Sequence, residues 1–264
     1  MTAAPPLRVP VLMYHEIADA TVTPSKLAVS PEVFADQLGY LRDAGFTAIT
    51  AGALSAAVAG GAEKLPERPV VLTFDDGYGD FYRQALPLLK QNDLTGTVFT
   101  TTGWVGLADK AKRMLSWAEL TEAAHAGIEI GAHTCTHRQL DQLPENQVRE
   151  ELGTSKNVIE DHLQTAIPGV AYPFGYSSGK VRRIARELGY TYGYGVGNAM
   201  TASGTDLFAL PRLTVKRVTS MDAFRRMVNG QDTPALRRDR ALTRGYSVVR
   251  RTRAAVRLAR SAGN

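Results

Sequence analysis

Eight short apolar runs alternate along this chain with segments that carry helix punctuation, and that alternation restricts the fold more than any other feature. The runs are VPVLMY (9–14), FTAIT (46–50), PVVLTF (69–74), GTVFTT (96–101), GIEIGA (127–132), GVAYP (169–173), YTYGYG (190–195) and PRLTVK (211–216). Strands joined in sequence by helices pair in parallel, and a parallel sheet needs cover on both faces. The pattern therefore predicts an α/β protein, built either as a barrel or as a doubly wound sheet. A length of 264 residues suits one large domain of this kind, since barrels run to ~250 residues. In either architecture, functional groups gather where strands end and loops begin.

The helix signals are local and specific. SPEVFADQLGYLRDAG offers Ser30 as N-cap, Pro31 at the first helical position and Gly45 as terminator. SWAELTEAAHAG pairs Ser116 with Glu119 in a capping box and closes at Gly127, and SSGKVRRIARELG ends in the same way at Gly189.

Where PVVLTF ends, the chain reads TFDDGY, residues 73–78. Inside a strand, Asp75 and Asp76 would point to opposite faces and strand one carboxylate in the core. Past the strand end, Gly77 lets the backbone turn sharply, so both acids can face one cleft. Two like charges this close repel, which calls for a positive group beside them, most simply a metal ion. GAHTCTH supplies His133 and His137, four apart and just beyond another strand end. Two imidazoles and one carboxylate make a three-ligand set that leaves positions open for water and substrate, and the second acid is then free to act as a base. Cys135, the single cysteine, lies between the histidines and reads as a packed side chain, not a ligand. It also excludes an internal disulfide framework.

TFDDGY, HTCTH and AYPFG (171–175) together resemble three motifs of the polysaccharide deacetylases, the NodB-homology domain of carbohydrate esterase family 4, and the resemblance spans residues 9 to 230. It implies a distorted (β/α)7–8 barrel that hydrolyses the N-acetyl group of an N-acetylhexosamine in a polysaccharide or glycoconjugate. Carried over by position, Asp75 is the general base. Asp76, His133 and His137 hold a divalent metal, zinc before cobalt, manganese, nickel or iron. The backbone N–H of Tyr172 binds the oxyanion, and Pro173 and Phe174 shape the groove wall.

Two positions depart from the family pattern. Ala171 stands where an arginine usually orients the base, and the late strand LPRLTVKRV has no histidine to serve as general acid. A permuted branch, similar to the poly-N-acetylglucosamine deacetylases, carries a YHxI element near the N-terminus, and this chain has His15 in VLMYHEI. The resemblance to that branch makes His15 the expected general acid. Two other readings remain: a hydrolase of a small cyclic or ureido amide, and a catalytically inactive carbohydrate-binding domain, the latter resting on the two departures.

Charge is uneven. Residues 236–264 hold nine arginines against one acid, Asp239, a net +8, while positions 1–235 carry 22 basic and 25 acidic residues, a net −3. The body is therefore not a nucleic-acid binder by electrostatics. The expected division is a catalytic domain over 1–235 and a basic C-terminal tail over 236–264, helical or partly disordered. Arg250, Arg253, Arg257 and Arg260 fall on one helical face, which suits peripheral contact with an anionic membrane surface, an anionic glycan or plain solvent. No 18-residue apolar run and no secretion-signal pattern occur in the sequence as given, which reads as cytoplasmic.

Overall fold

A computed structural model describes residues 7–19, 21–60, 65–108, 113–243, 245–246 and 250. In chain order the elements are β1 (Arg8–Val9), β2 (Val11–Tyr14), α1 (Pro31–Asp43), β3 (Thr47–Ile49), α2 (Ala51–Val58), β4 (Pro69–Phe74), α3 (Leu86–Gln91), β5 (Thr97–Thr100), α4 (Trp117–His125), β6 (Glu129–Ala132), α5 (Glu145–Leu163), β7 (Gly169–Ala171), α6 (Gly179–Glu187), β8 (Tyr192–Tyr194), β9 (Thr201–Ala202), β10 (Leu213–Thr214) and α7 (Met221–Val228). All eight expected strands are present. The added pair β1·β9 is a short antiparallel ribbon.

The main sheet is parallel, in the order β10-β2-β4-β5-β6-β7-β8, with β3 pairing the first half of β4. It curls into an incomplete barrel. Leu210 forms a parallel bridge with Tyr194 at the end of β8. Three residues later Leu213 and Thr214 pair with Leu12 and Met13 of β2, so one short segment spans the gap between the sheet's two edges.

Alternate residues of each strand enter two separate cores. Val11, Val71, Phe99, Ala171 and Tyr194 pack inside the curl. Their neighbours Leu12, Leu72, Val98 and Val170 face outward against the helices. Burial on both faces is why the runs are apolar throughout and not alternating.

The caps form as the sequence predicts. Ser30 Oγ accepts from Val33 N–H, and Ser116 and Glu119 make the reciprocal capping box. Helix α2 has a separate task, because it fills the N-terminal mouth of the barrel. Its first residues meet side chains at the starts of three strands: Ala51 N–H donates to Thr97 Oγ1 (2.9 Å) and Gly52 N–H to Glu129 Oε2 (3.0 Å), while Tyr192 Oη donates to Glu129 Oε1 (2.6 Å). A Cβ on Gly52 would sit 2.5 Å from Glu129 Oε1, so any larger residue would have to displace that carboxylate. With that end stoppered, the C-terminal ends of the strands are left to hold a site.

The expected tail is attached to the body, as far as it is described. Residues 234–243 are helical, so the expected boundary after residue 235 falls inside a helix, and Leu236 joins the main core. Arg250 does not lie on a solvent-facing basic stripe, which corrects the expectation for that residue. It is buried, bonded to the carboxylate of Asp141 and stacked 4.4 Å over the Tyr176 ring. Arg253, Arg257 and Arg260 lie outside the described residues. Among the described residues no helix is long and apolar enough to cross a membrane.

Candidate active site at the C-terminal end of the barrel

Strand β4 runs out at Phe74, and Asp75 N–H makes a last bond to Tyr14 O (3.0 Å). Asp76 and Gly77 then adopt φ of 75° and 86°. Glycine takes this conformation freely; a Cβ at Gly77 would also meet Thr100 Oγ1 at 2.6 Å. Asp76 takes it at a cost of order 1–3 kcal/mol, the kind of strain that a functional position retains. The turn breaks the strand's alternation and brings both acids to one cleft.

The second motif is a loop, not a helix. Thr134 and His137 have positive φ, and Thr134 Oγ1 accepts from His137 N–H (3.0 Å). From α5, the buried Glu151 reaches under the loop, accepting from Cys135 N–H (3.0 Å), Thr136 N–H (2.8 Å) and the Thr136 hydroxyl. His133 Nδ1 bonds to Ala171 O (2.8 Å), which fixes the tautomer and aims Nε2 at the acids. His137 is held between the rings of Trp104 and Phe174, with centroids at 5.1 and 4.9 Å.

Asp76 Oδ1 lies 3.3 Å from His133 Nε2 and 3.2 Å from His137 Nε2. Ligand atoms of the three residues all fall within 4.8 Å of one another. Yet Asp76 Oδ1 is buried without a well-formed hydrogen bond. A converging Asp-His-His set around an unsatisfied oxygen fits a divalent cation held at one point between them. Burial pushes the Asp76 carboxyl up, but the two imidazoles outweigh it and hold it well below the usual range. His133 moves the other way: burial lowers it, and Asp75 and Asp76 together raise it further.

Asp75 sits in a different environment. Its two oxygens receive Arg212 Nη1 (2.6 Å) and Nη2 (2.7 Å). Arg212 is fully buried, and donates also to Thr73 Oγ1 (3.1 Å) and, through Nε, to Gly195 O (3.1 Å). Burial would raise the Asp75 carboxyl, but Arg212 and then His133 bring it below its ordinary value. The arginine absent at position 171 is thus supplied in space from position 212. Sequence reasoning passed over it, although a lone arginine in the apolar run LPRLTV was the available signal.

His15 follows β2 at the same rim. Its Nδ1 is buried without a hydrogen-bond partner. Burial lowers its pKa, and the fields of Asp75 and Asp76 recover only part of that, so both acids act on it electrostatically.

Two of the expected groove residues need correction. Tyr172 N–H donates to Tyr194 O (2.9 Å), extending the β7–β8 ladder by one residue, and its side chain is fully buried. It therefore has no N–H to offer an oxyanion. Pro173 is also buried and sets the turn without lining a wall. Phe174 is the residue at the surface, 50% exposed, with φ 59° and its ring against His137. Trp117 stacks on His162 at 3.9 Å, on the helical shell.

The comparisons with known proteins agree with this geometry. The family model for polysaccharide deacetylase matches residues 62–193. YxkH of Bacillus subtilis (strain 168), a protein assigned to the polysaccharide deacetylases, is 31% identical over 83% of this chain and 75% of its own length. The poly-β-1,6-N-acetyl-D-glucosamine N-deacetylase of Escherichia coli (strain K12) is 22% identical over 82% of this chain, which spans only 38% of that longer protein. Among solved structures, the Streptococcus pyogenes deacetylase PplD, in complex with acetate, superposes with a TM-score of 0.78 at 27% identity, covering 85% of this chain and 99% of that one. With the half-closed barrel, the Asp-Asp turn and the histidine loop in place, these matches show that the chain belongs to the polysaccharide deacetylase family.

Proposed function

We propose that this protein is a metal-dependent N-deacetylase that releases acetate from an N-acetylhexosamine within a polysaccharide or glycoconjugate. The observation that carries the reading is the unequal treatment of two adjacent acids. Asp76 faces two imidazoles, while Asp75 is held by a buried arginine.

Asp76, His133 and His137 would hold the ion, with zinc the first candidate for a site of two imidazoles and one carboxylate. When bound, such an ion polarises the acetyl carbonyl and acidifies water, to a pKa of about 7 for zinc. Asp75 takes the proton of the attacking water. Its bidentate bond to Arg212 keeps it ionised and oriented, and each carboxylate oxygen retains a lone pair for that proton. The Phe174 N–H replaces that of Tyr172 as the expected donor to the oxyanion, because Phe174 is the member of the turn exposed beside His137. His15 delivers a proton to the leaving nitrogen, since an amine departs from the tetrahedral centre only once protonated. With Arg212 on Asp75 and His15 at the rim, the inactive-domain reading loses the two departures on which it rested.

Acetate release from N-acetylglucosamine oligomers tests this directly. Turnover should vanish with a chelator, return with zinc, and be absent in Asp75→Asn. Turnover that persists through chelation and through Asp75→Asn would overturn the reading.

Any contact of the tail with an anionic membrane would rest on Arg253, Arg257 and Arg260, since Arg250 is committed to Asp141.

A further inference from the structure

A cavity about 360 Å³ in volume opens between the body and the C-terminal helix (residues 234–243). Its lining includes Tyr176, Asn198, Lys216, Asp239, Leu242 and Tyr246. We propose that it is a sugar-binding subsite, which takes a hexosamine next to the one being deacetylated on the same glycan chain. This rests on the deacetylase reading above.

Position comes first. Tyr176 stands two residues beyond Phe174. Lys216 follows Val215, whose N–H donates to Met13 O, two residues before His15 (3.0 Å). The cavity is therefore flanked by the strand ends that carry the oxyanion turn and the expected general acid.

The chemistry suits a pyranose ring, which has apolar C–H faces and a hydroxyl edge. Tyr176 and Tyr246 stand with ring centroids 5.8 Å apart, and Leu242 adds an aliphatic surface. Leu242 and Tyr246 are 59% and 48% exposed, which leaves their apolar surfaces open to a ligand. Lys216 Nζ, bonded to Asp239 at 2.5 Å, places a donor and an acceptor on the polar side.

The wall is also held in place. Arg240 donates to Asn198 O (3.0 Å), and Arg250 bridges Asp141, four residues past His137, to the Tyr176 ring. Such anchoring gives the helix a fixed place at the groove.

The test uses protein stripped of metal, so that binding is read without turnover. Calorimetry would compare N-acetylglucosamine with its β-1,4- and β-1,6-linked tetramers, for the full chain and for Tyr246→Ala and Leu242→Ser. Both residues are among the exposed large apolar side chains, at 59% and 48%, so neither change should unfold the protein. The expected result is that at least one tetramer binds tenfold or more tighter than the monosaccharide, and that either variant removes that advantage while monosaccharide binding stays the same. Tetramer binding no tighter than monosaccharide binding, or an advantage that survives both substitutions, would overturn the subsite. If metal-loaded protein shows the tetramer advantage but releases no acetate, the deacetylase reading fails while the subsite stands.

Discussion

The guanidinium of Arg212 and the carboxylate of Asp75 meet through two parallel hydrogen bonds, 137 residues apart in sequence and with both side chains buried. Removing one partner of such a pair leaves the other charge uncompensated. Arg212→Gln should destabilise the fold by ~3–5 kcal/mol. It should also raise the Asp75 carboxyl, because burial would then be opposed only by the fields of His133 and His15. The acid limb of kcat/KM should accordingly shift toward neutral pH, whereas Arg212→Lys, which keeps charge but not the fork, should shift it less. Thermal melts and a pH–rate profile read both effects. An unmoved acid limb would show that Arg212 does not act on the base.

The same pair has a pH signature in the unmodified protein. Asp75 titrates lower in the folded state than in the unfolded chain, so its contribution is complete above the unfolded value of about 3.9 and is lost as pH falls through the folded value. The melting temperature should therefore decline below about pH 4, and Asp75→Asn should flatten that part of the curve.

His15→Ala distinguishes a proton donor from a structural imidazole. An amine leaving group needs protonation, whereas the phenolate of an activated aryl acetate leaves without it. Amide turnover should fall ~10²–10⁴-fold, with hydrolysis of the aryl acetate nearly unchanged. Equal losses on both substrates would assign His15 a structural role.

Metal content should follow the division of labour between the acids. Asp76→Ala and His137→Ala should lose the bound ion, and Asp75→Asn should retain it while losing turnover, as measured by elemental analysis of the purified proteins. Retention of the ion by Asp76→Ala would remove the site from its proposed place.

Glu151 is not one of the three converging ligands, but it fastens the loop between the two histidines. Glu151→Gln, which weakens the acceptor and keeps the shape, should reduce zinc affinity ~10–100-fold, the usual effect of disturbing groups that orient ligands. Competition with a chromogenic chelator would measure it. Unchanged affinity would mean that the loop holds its form without the carboxylate.

What sequence alone revealed followed the range of the interaction. Ser30, Ser116 and Glu119 act within three residues and were readable from spacing. The eight strands were readable because both faces of the sheet are buried. The acid pair and the histidine pair were readable because each follows its own strand directly. Arg212 was not, since its partnership with Asp75 exists only once the segment after Leu210 crosses from β8 to β2. Tyr172 misled because the β7–β8 ladder continues one residue past the point where the motif suggests a free backbone. Composition misled at Arg250 alone: a run of arginines placed it on a shared basic face, but the acid that receives it lies 109 residues earlier.

The stopper formed by α2 bears on the order of product release. Among the described residues α2 closes the N-terminal mouth, so acetate would leave across the same rim on which the trimmed glycan would still lie. A chain gripped by several subsites would then hold back the small acid beneath it. Acetate should accordingly inhibit as a trapped product, more strongly with long oligomers than with short ones.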